Sequence, residues 1–121
     1  MNIVPEPDQS STVLTVILNW RTAEMTLRSV DAADIAMQGI AGGIVVVDND
    51  SGDGSFERMS EALRDRPRIR VVQSGHNGGF GAGNNVGIRL GLPAGERPDY
   101  VYILNSDAFP APDAIRLLLD Y

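Results

Sequence analysis

Polar side chains able to do chemistry gather at four places in this chain, each directly after a run of apolar residues. They are residues 19–21 (NWR), 48–53 (DNDSGD), 74–85 (SGHNGGFGAGNN) and 105–107 (NSD). The carboxylates of Asp48, Asp50 and Asp53 admit three uses: a metal ion, a helix cap, or acceptance of hydrogen bonds from a ligand. A calcium loop of the helix-loop-helix kind needs oxygen ligands at its first, third and fifth positions, glycine at the sixth and glutamate at the twelfth. Counted from Asp48, the fifth position is Gly52, the sixth Asp53 and the twelfth Met59, so that register fails. A strand-to-helix turn fits better, with Ser51 or Asp53 capping a helix whose Phe56, Met59 and Leu63 share one face. Capping leaves unexplained why Asp48 stands at the very end of the apolar run.

Two nucleotide motifs and one hydrolytic motif can be tested directly. The glycine loop holds Gly79, Gly81 and Gly83 but no G-x-G-x-x-G register, which argues against a dehydrogenase-type dinucleotide site. No G-x-x-x-x-G-K-[ST] occurs, so there is no P-loop. The single histidine, His76, lacks a serine nucleophile context and no G-x-S-x-G exists, so it reads as a loop residue rather than part of a triad.

Composition narrows the class further. A chain of 121 residues suits one domain that buries about two thirds of its unfolded surface. A net charge of −6 argues against a nucleic-acid partner, because phosphate backbones reward clustered lysine and arginine. With no cysteine, thiolate zinc sites, disulfides and thiol catalysis are excluded, and a reducing cytoplasm is compatible. The apolar runs fall far short of the ~20 residues that span a bilayer. Residues 1–11 (MNIVPEPDQSS) lack the pattern of a signal peptide and read as a loose tail before a domain over 12–121.

The elements that must position these loops alternate in kind. Residues 12–18 (TVLTVIL), 42–48 (GGIVVVD), 68–74 (RIRVVQS) and 100–105 (YVYILN) are short apolar runs rich in β-branched residues, the pattern of buried strands. Ala23, Leu27, Val30, Ala33 and Met37 recur at spacings of three and four, marking an amphipathic helix, and 55–64 gives a second. The stretch 81–92 is open to helix despite its glycines, and Pro112 opens a last helix through Leu119. Such alternation predicts an α/β fold with a mostly parallel sheet and helices on both faces. In open sheets of this kind ligands bind beyond the carboxyl ends of the strands, where all four polar loops fall.

Four segments taken in order, VILNW, IVVVDNDSGDGS, NGGFGAGNNVGI and YILNSDAFP, resemble the inverting nucleotide-sugar glycosyltransferases of family 2, which have the Rossmann-like GT-A fold. The resemblance covers nearly the whole chain and is nearest to the rhamnosyltransferase-like branch, which makes cell-surface polysaccharides and carries N-x-D in place of D-x-D. It implies transfer of a sugar from a UDP- or dTDP-sugar, with inversion, to a carbohydrate or lipid-linked acceptor. It places Asp48 against the base, where a carboxylate accepts from the N3–H of uracil or thymine and cytosine offers no such donor. Asn19 and Trp20 would line the same pocket, and Ser106 would add a nucleotide contact. Asp50 is open between a ribose contact and turn formation. The glycine loop, with Asn77, Gly78, Gly79 and Asn85, is open between a nucleotide contact and a structural turn, since glycines permit close backbone approach. A Mg²⁺ or Mn²⁺ ion belongs at Asp107 with Asn105, held jointly with the phosphates; a turn cap before Pro110 is the bland alternative.

The resemblance also implies an acceptor-binding half and a general base that no residue here can supply, so the chain reads as the donor half of a transferase. It implies action in the cytoplasm, at the inner face of the membrane when part of a complete enzyme. A non-catalytic nucleotide-sugar-binding module and a nucleotidyltransferase stand as alternatives, the latter weakened because NWRTAEM is not a basic glycine-rich loop. Val101, Ile103, Ile115, Leu117, Leu118 and Leu119 lie in a carboxyl-terminal segment expected to join a second copy in a homodimer.

Overall fold

The structure is a computed structural model that describes residues 11–120; the expected tail over residues 1–10 and the terminal Tyr121 lie outside the described residues. Four strands, β1 (Thr12–Asn19), β2 (Ala41–Asp48), β3 (Ile69–Gln73) and β4 (Tyr100–Asn105), alternate with helices α1 (Ala23–Ala36), α2 (Ser55–Leu63), α3 (Phe80–Leu90) and α4 (Ala114–Asp120). All pairings are parallel and the sheet order is β3-β2-β1-β4. The expected α/β fold is therefore present.

Alternation along β1 and β2 divides the core between two faces. Val13, Ile17, Ile44 and Val46 pack with Val30, Ala33, Met37, Met59, Leu63 and Ile115, beneath α1, α2 and α4. Leu14, Val16, Val45 and Val47 pack on the other face with Val86, Ile88 and Leu92, beneath α3. Here the glycines of α3 find their reason. A Cβ on Gly87 would lie 2.9–3.1 Å from side-chain atoms of Val16, Val45 and Val47, and one on Gly83 would lie 2.5 Å from Leu18 Cδ1. Bare Cα atoms let the helix sit directly on the sheet, which offsets the roughly 1 kcal/mol each glycine costs in helix propensity. Pro112 lies in the turn before α4 rather than at its first position, and the helix starts at Ala114.

Starting from β1, the chain winds outward through β2 to β3, then returns across the sheet to β4 on β1's other side. The strand order reverses between β1 and β4, which is the switch point where open α/β sheets leave a crevice. The register pairs Leu18 with Asn105 and Asn19 with Asp48, so the polar strand ends of β1, β2 and β4 lie level at one edge.

Candidate functional site

At the end of β2, Asp48 is 1% exposed and sits within a closed hydrogen-bond network. Its Oδ1 accepts from Asn19 Nδ2 at 2.8 Å and from Ser51 Oγ at 2.6 Å. Its Oδ2 accepts from the Ser51 backbone N–H at 3.2 Å and from Gln73 Nε2 at 3.0 Å. A carboxylate has about four lone-pair positions, and the chain's own donors meet each of them. The network continues inward. Asn19 Oδ1 accepts from Thr26 Oγ1 at 2.6 Å, tying the strand end to α1. Ser51 Oγ accepts from the Arg21 backbone N–H at 2.8 Å, and Arg21 Nε donates to the Ser51 carbonyl at 2.9 Å.

That arrangement corrects one expectation. Ser51 does not cap α2: its hydroxyl donates to the buried Asp48 carboxylate and accepts from the Arg21 backbone N–H, so it is engaged away from the helix N–H groups. The cap position belongs to Gly54, and Asp53 serves the helix start by accepting from the Ser55 N–H at 3.0 Å. Hydrogen bonds from the Ser55 side chain and backbone hold the Asp53 carboxyl below its ordinary pKa. Asn19 and Trp20, expected together, part company. Asn19 turns inward to Asp48, whereas Trp20 is half exposed with the Arg21 guanidinium 4.8 Å from its ring centroid.

The next residue, Asn49, was not singled out from the sequence, yet it is 2% exposed and fixes the glycine loop. Its Nδ2 donates to Asn77 Oδ1 at 3.0 Å and to the Gly79 carbonyl at 3.3 Å, while its Oδ1 accepts from Ser74 Oγ at 2.9 Å. Asn77 Oδ1 also accepts from the Gly79 N–H at 3.0 Å, so its side chain orders the loop. Gly79, at φ +96°, is the cap residue of α3, and no side chain caps that helix. Gly78 is exposed in the loop, and Asn85 is exposed one turn into α3. Its neighbour Asn84 is the buried one, donating to the Phe80 carbonyl at 3.0 Å.

Two clefts flank this network. Asp48, Asp50, Gly52, Phe56, Glu57 and Gln73 line one, beyond β2 and β3. Leu18, Trp20, Met25, Phe80 and Asn105 to Asp107 line the other, at the switch point between β1 and β4. In the second cleft Asn105 and Asp107 are exposed, Ser106 is half-buried, and the turn is held through its carbonyls. Ser29 Oγ donates to the Ser106 carbonyl at 2.6 Å, and the Ala108 N–H donates to the Asn105 carbonyl at 3.0 Å. Among the described residues no group of three or more acidic or histidine side chains could hold a metal. Asp107 with Asn105 fits a hard divalent ion only as a partial ligand set that other oxygens would complete.

Comparison with known proteins decides the family. Residues 38–121 match the family described as glycosyl transferase family 2. The chain belongs to that family. This family 2 member is 34% identical over 77 residues to the Escherichia coli chondroitin synthase, a match that covers 64% of the chain and 10% of that protein. Two crystal structures of S. aureus TarS 1-349, one in complex with UDP, each superpose with a TM-score of 0.70. They share 18% identity with it, covering 90% of this chain and 31% of the TarS 1-349 chain, which speaks for a common fold. The chain thus spans a tenth of one relative and under a third of the other. No helix among the described residues is long and apolar enough to cross a membrane.

Proposed function

We propose that this chain is the donor-binding part of a glycosyltransferase that takes a UDP- or dTDP-sugar and passes the sugar, with inversion, to a cell-surface polysaccharide or glycolipid acceptor. One observation carries the reading: the polar ends of all four strands converge on one sheet edge, beside the switch-point crevice. In this reading Asp48 accepts the N3–H of uracil or thymine. The uncapped N-terminus of α3 and its glycine loop offer backbone N–H groups to phosphate or ribose oxygens. Asp50 lines the base cleft, near the ribose. Trp20 and Ser106 line the crevice that takes the diphosphate and sugar.

Asp107 and Asn105 would hold a Mg²⁺ or Mn²⁺ ion, which when bound offsets the charge that grows on the leaving diphosphate. The N-x-D form of this turn is what favours the rhamnosyltransferase-like branch. The apolar β4 edge is read as the contact for a second copy, away from the nucleotide clefts.

Calorimetry with UDP and with dTDP, each with and without Mn²⁺, tests the donor assignment, and a transfer assay with a rhamnosyl donor tests the branch. Nucleotide affinity that is indifferent to both Asp48→Asn and Asp107→Ala would remove the site from these strand ends.

A further inference from the structure

Among the described residues that donate to the Asp48 carboxylate, Gln73 is the exposed one. Asn19 and Ser51 are buried to 1% exposure or less, whereas the Gln73 side chain lies at the exposed end of β3 and lines the cleft into which Asp48 looks. Its amide makes a specific pattern. Nε2 donates to Asp48 Oδ2 at 3.0 Å, and Oε1 accepts from the backbone N–H groups of Asp50 and Gly75, each at 3.0 Å. The opposite amide orientation would set an oxygen against the carboxylate and N–H against N–H, so the network fixes the orientation.

Both backbone donors stand on left-handed residues, Asp50 at φ +60° and Gly75 at φ +76°. Asp50 is a non-glycine residue in that region, a conformation that costs free energy and tends to mark functional sites. The two turns aim their N–H groups at one point beside the Asp48 carboxylate.

An amide with its N–H on a carboxylate and its C=O on backbone donors presents the same edge as the imide of uracil or thymine, where N3–H stands next to a ring carbonyl. We propose that the Gln73 side chain occupies the base subsite of the empty protein, and that a pyrimidine imide replaces it, taking over Asp48 Oδ2 and the N–H groups of Asp50 and Gly75. The inference rests on the donor reading given above and adds to it a side chain of the protein that competes with the base for its partners. It also accounts for how Asp48, with all four acceptor positions engaged, receives a base: one of its four donors is exposed and exchangeable. An occupant of this kind lowers apparent affinity by the fraction of time the site is free.

The test uses the chain itself, UDP and CDP. In Gln73→Ala, UDP is expected to bind about three- to tenfold tighter, because the competing amide is gone. The preference for UDP over CDP should persist, because Asp48 and both backbone donors remain. In the unaltered chain, the Gln73 side-chain NH₂ resonances, assigned by their absence in Gln73→Ala, should move on UDP saturation from hydrogen-bonded to freely solvated positions. Weaker UDP binding in Gln73→Ala, or NH₂ resonances that stay in place when UDP saturates, would overturn the proposal. If UDP binding in the unaltered chain is lost in Asp48→Asn, the donor reading survives that result; if the unaltered chain does not bind UDP, both fall together.

Discussion

The carboxyl ends of β2 and β4 carry the two acidic motifs of this chain, and folding treats them in opposite ways. At β2, Asp48, Asn49 and Ser51 are each at most 2% exposed and are hydrogen-bonded to β1, the loop between β1 and α1, β3 and the glycine loop. At β4, Asn105 and Asp107 are exposed, and the carboxylate of Asp107 takes no hydrogen bond or ion pair among the described residues. A buried carboxylate is tolerable only when its lone pairs are met, so the β2 end is built in full during folding. An exposed carboxylate keeps its hydration and its rotamer freedom until an ion arrives. In the proposed reading, one end is a preorganised recognition surface that doubles as scaffold, and the other is a metal ligand in waiting. Substitutions at the first should strike stability and binding together; at the second they should strike binding alone.

The largest effect is expected at Asp48. Asp48→Ala would leave Asn19 Nδ2, Ser51 Oγ and the Ser51 N–H without their acceptor in a buried place. Each stranded buried donor costs about 1–3 kcal/mol, and with partial relaxation the sum should be roughly 3 kcal/mol or more. A urea unfolding curve should show a lowered midpoint at unchanged slope. Asp48→Asn keeps the shape but turns an amide toward the surrounding donors, and should cost about 1.5–3 kcal/mol in UDP affinity. A fully stable Asp48→Ala would break the comparison at its stronger end.

Gly83→Ala should come next. Its Cβ would meet Leu18 Cδ1 at 2.5 Å and Asn49 Oδ1 at 3.0 Å, pressing on the residue that ties down the glycine loop. Overpacking of about 1–3 kcal/mol outweighs the ~1 kcal/mol that alanine gains in a helix. Hydrogen exchange should quicken at the Gly79 N–H, whose acceptor Asn77 is held by Asn49. Unchanged exchange there would mean that the loop orders itself.

A smaller effect on the fold, within about 0.5 kcal/mol, is expected from Asp107→Ala, because the residue is exposed and unpaired. Its consequence lies in coupling. Mn²⁺ alone should bind weakly and UDP should tighten it, since the phosphates supply missing oxygens. Asp107→Ala should remove that mutual tightening while leaving uridine binding unchanged. Coupling that survives the substitution would place the ion elsewhere.

How much of this was legible beforehand follows the same division. Strands and helices were readable because burial imposes a period, and the four polar loops were placed at one edge by a topological rule. Asp48 could be singled out because a carboxylate ending a buried strand demands a reason. The bond from Gln73, 25 residues away, was not readable, because such contacts depend on strand order and register, and Asn19, 29 residues away, was set in the same pocket only by the family resemblance. Asn49 carried a faint signal as an amide directly behind Asp48. Ser51 was misread because a serine before a helix looks like a cap until partners from other elements, here Asp48 and the Arg21 N–H, engage its hydroxyl elsewhere. The glycines of α3 weakened a helix expectation that they in fact serve, because their function is the approach of the helix to the sheet.

The smallest expected effect concerns the outer edge of β4. Tyr100, Val101 and Ile103 on that strand, and Leu117 and Leu118 on α4, are each between 39% and 59% exposed. Val13, Tyr102, Ile115, Leu118 and Leu119 contribute to a shallow apolar hollow beside them. Unpaired strand edges with apolar neighbours invite a further strand. The opposite edge, β3, is shorter at five residues and presents Arg70 and Gln73. Self-association is therefore expected through β4, weakly, with light scattering showing a mass that rises toward the dimer as concentration increases. Leu118→Glu should return the chain to the monomer, because a charge desolvated in an apolar contact is costly. UDP should leave the association unchanged, since neither cleft proposed for the nucleotide includes the outer face of β4. A monomer at every concentration would show that the exposure of β4 ends with its role at the switch point, and that this edge needs no second copy to stay in solution.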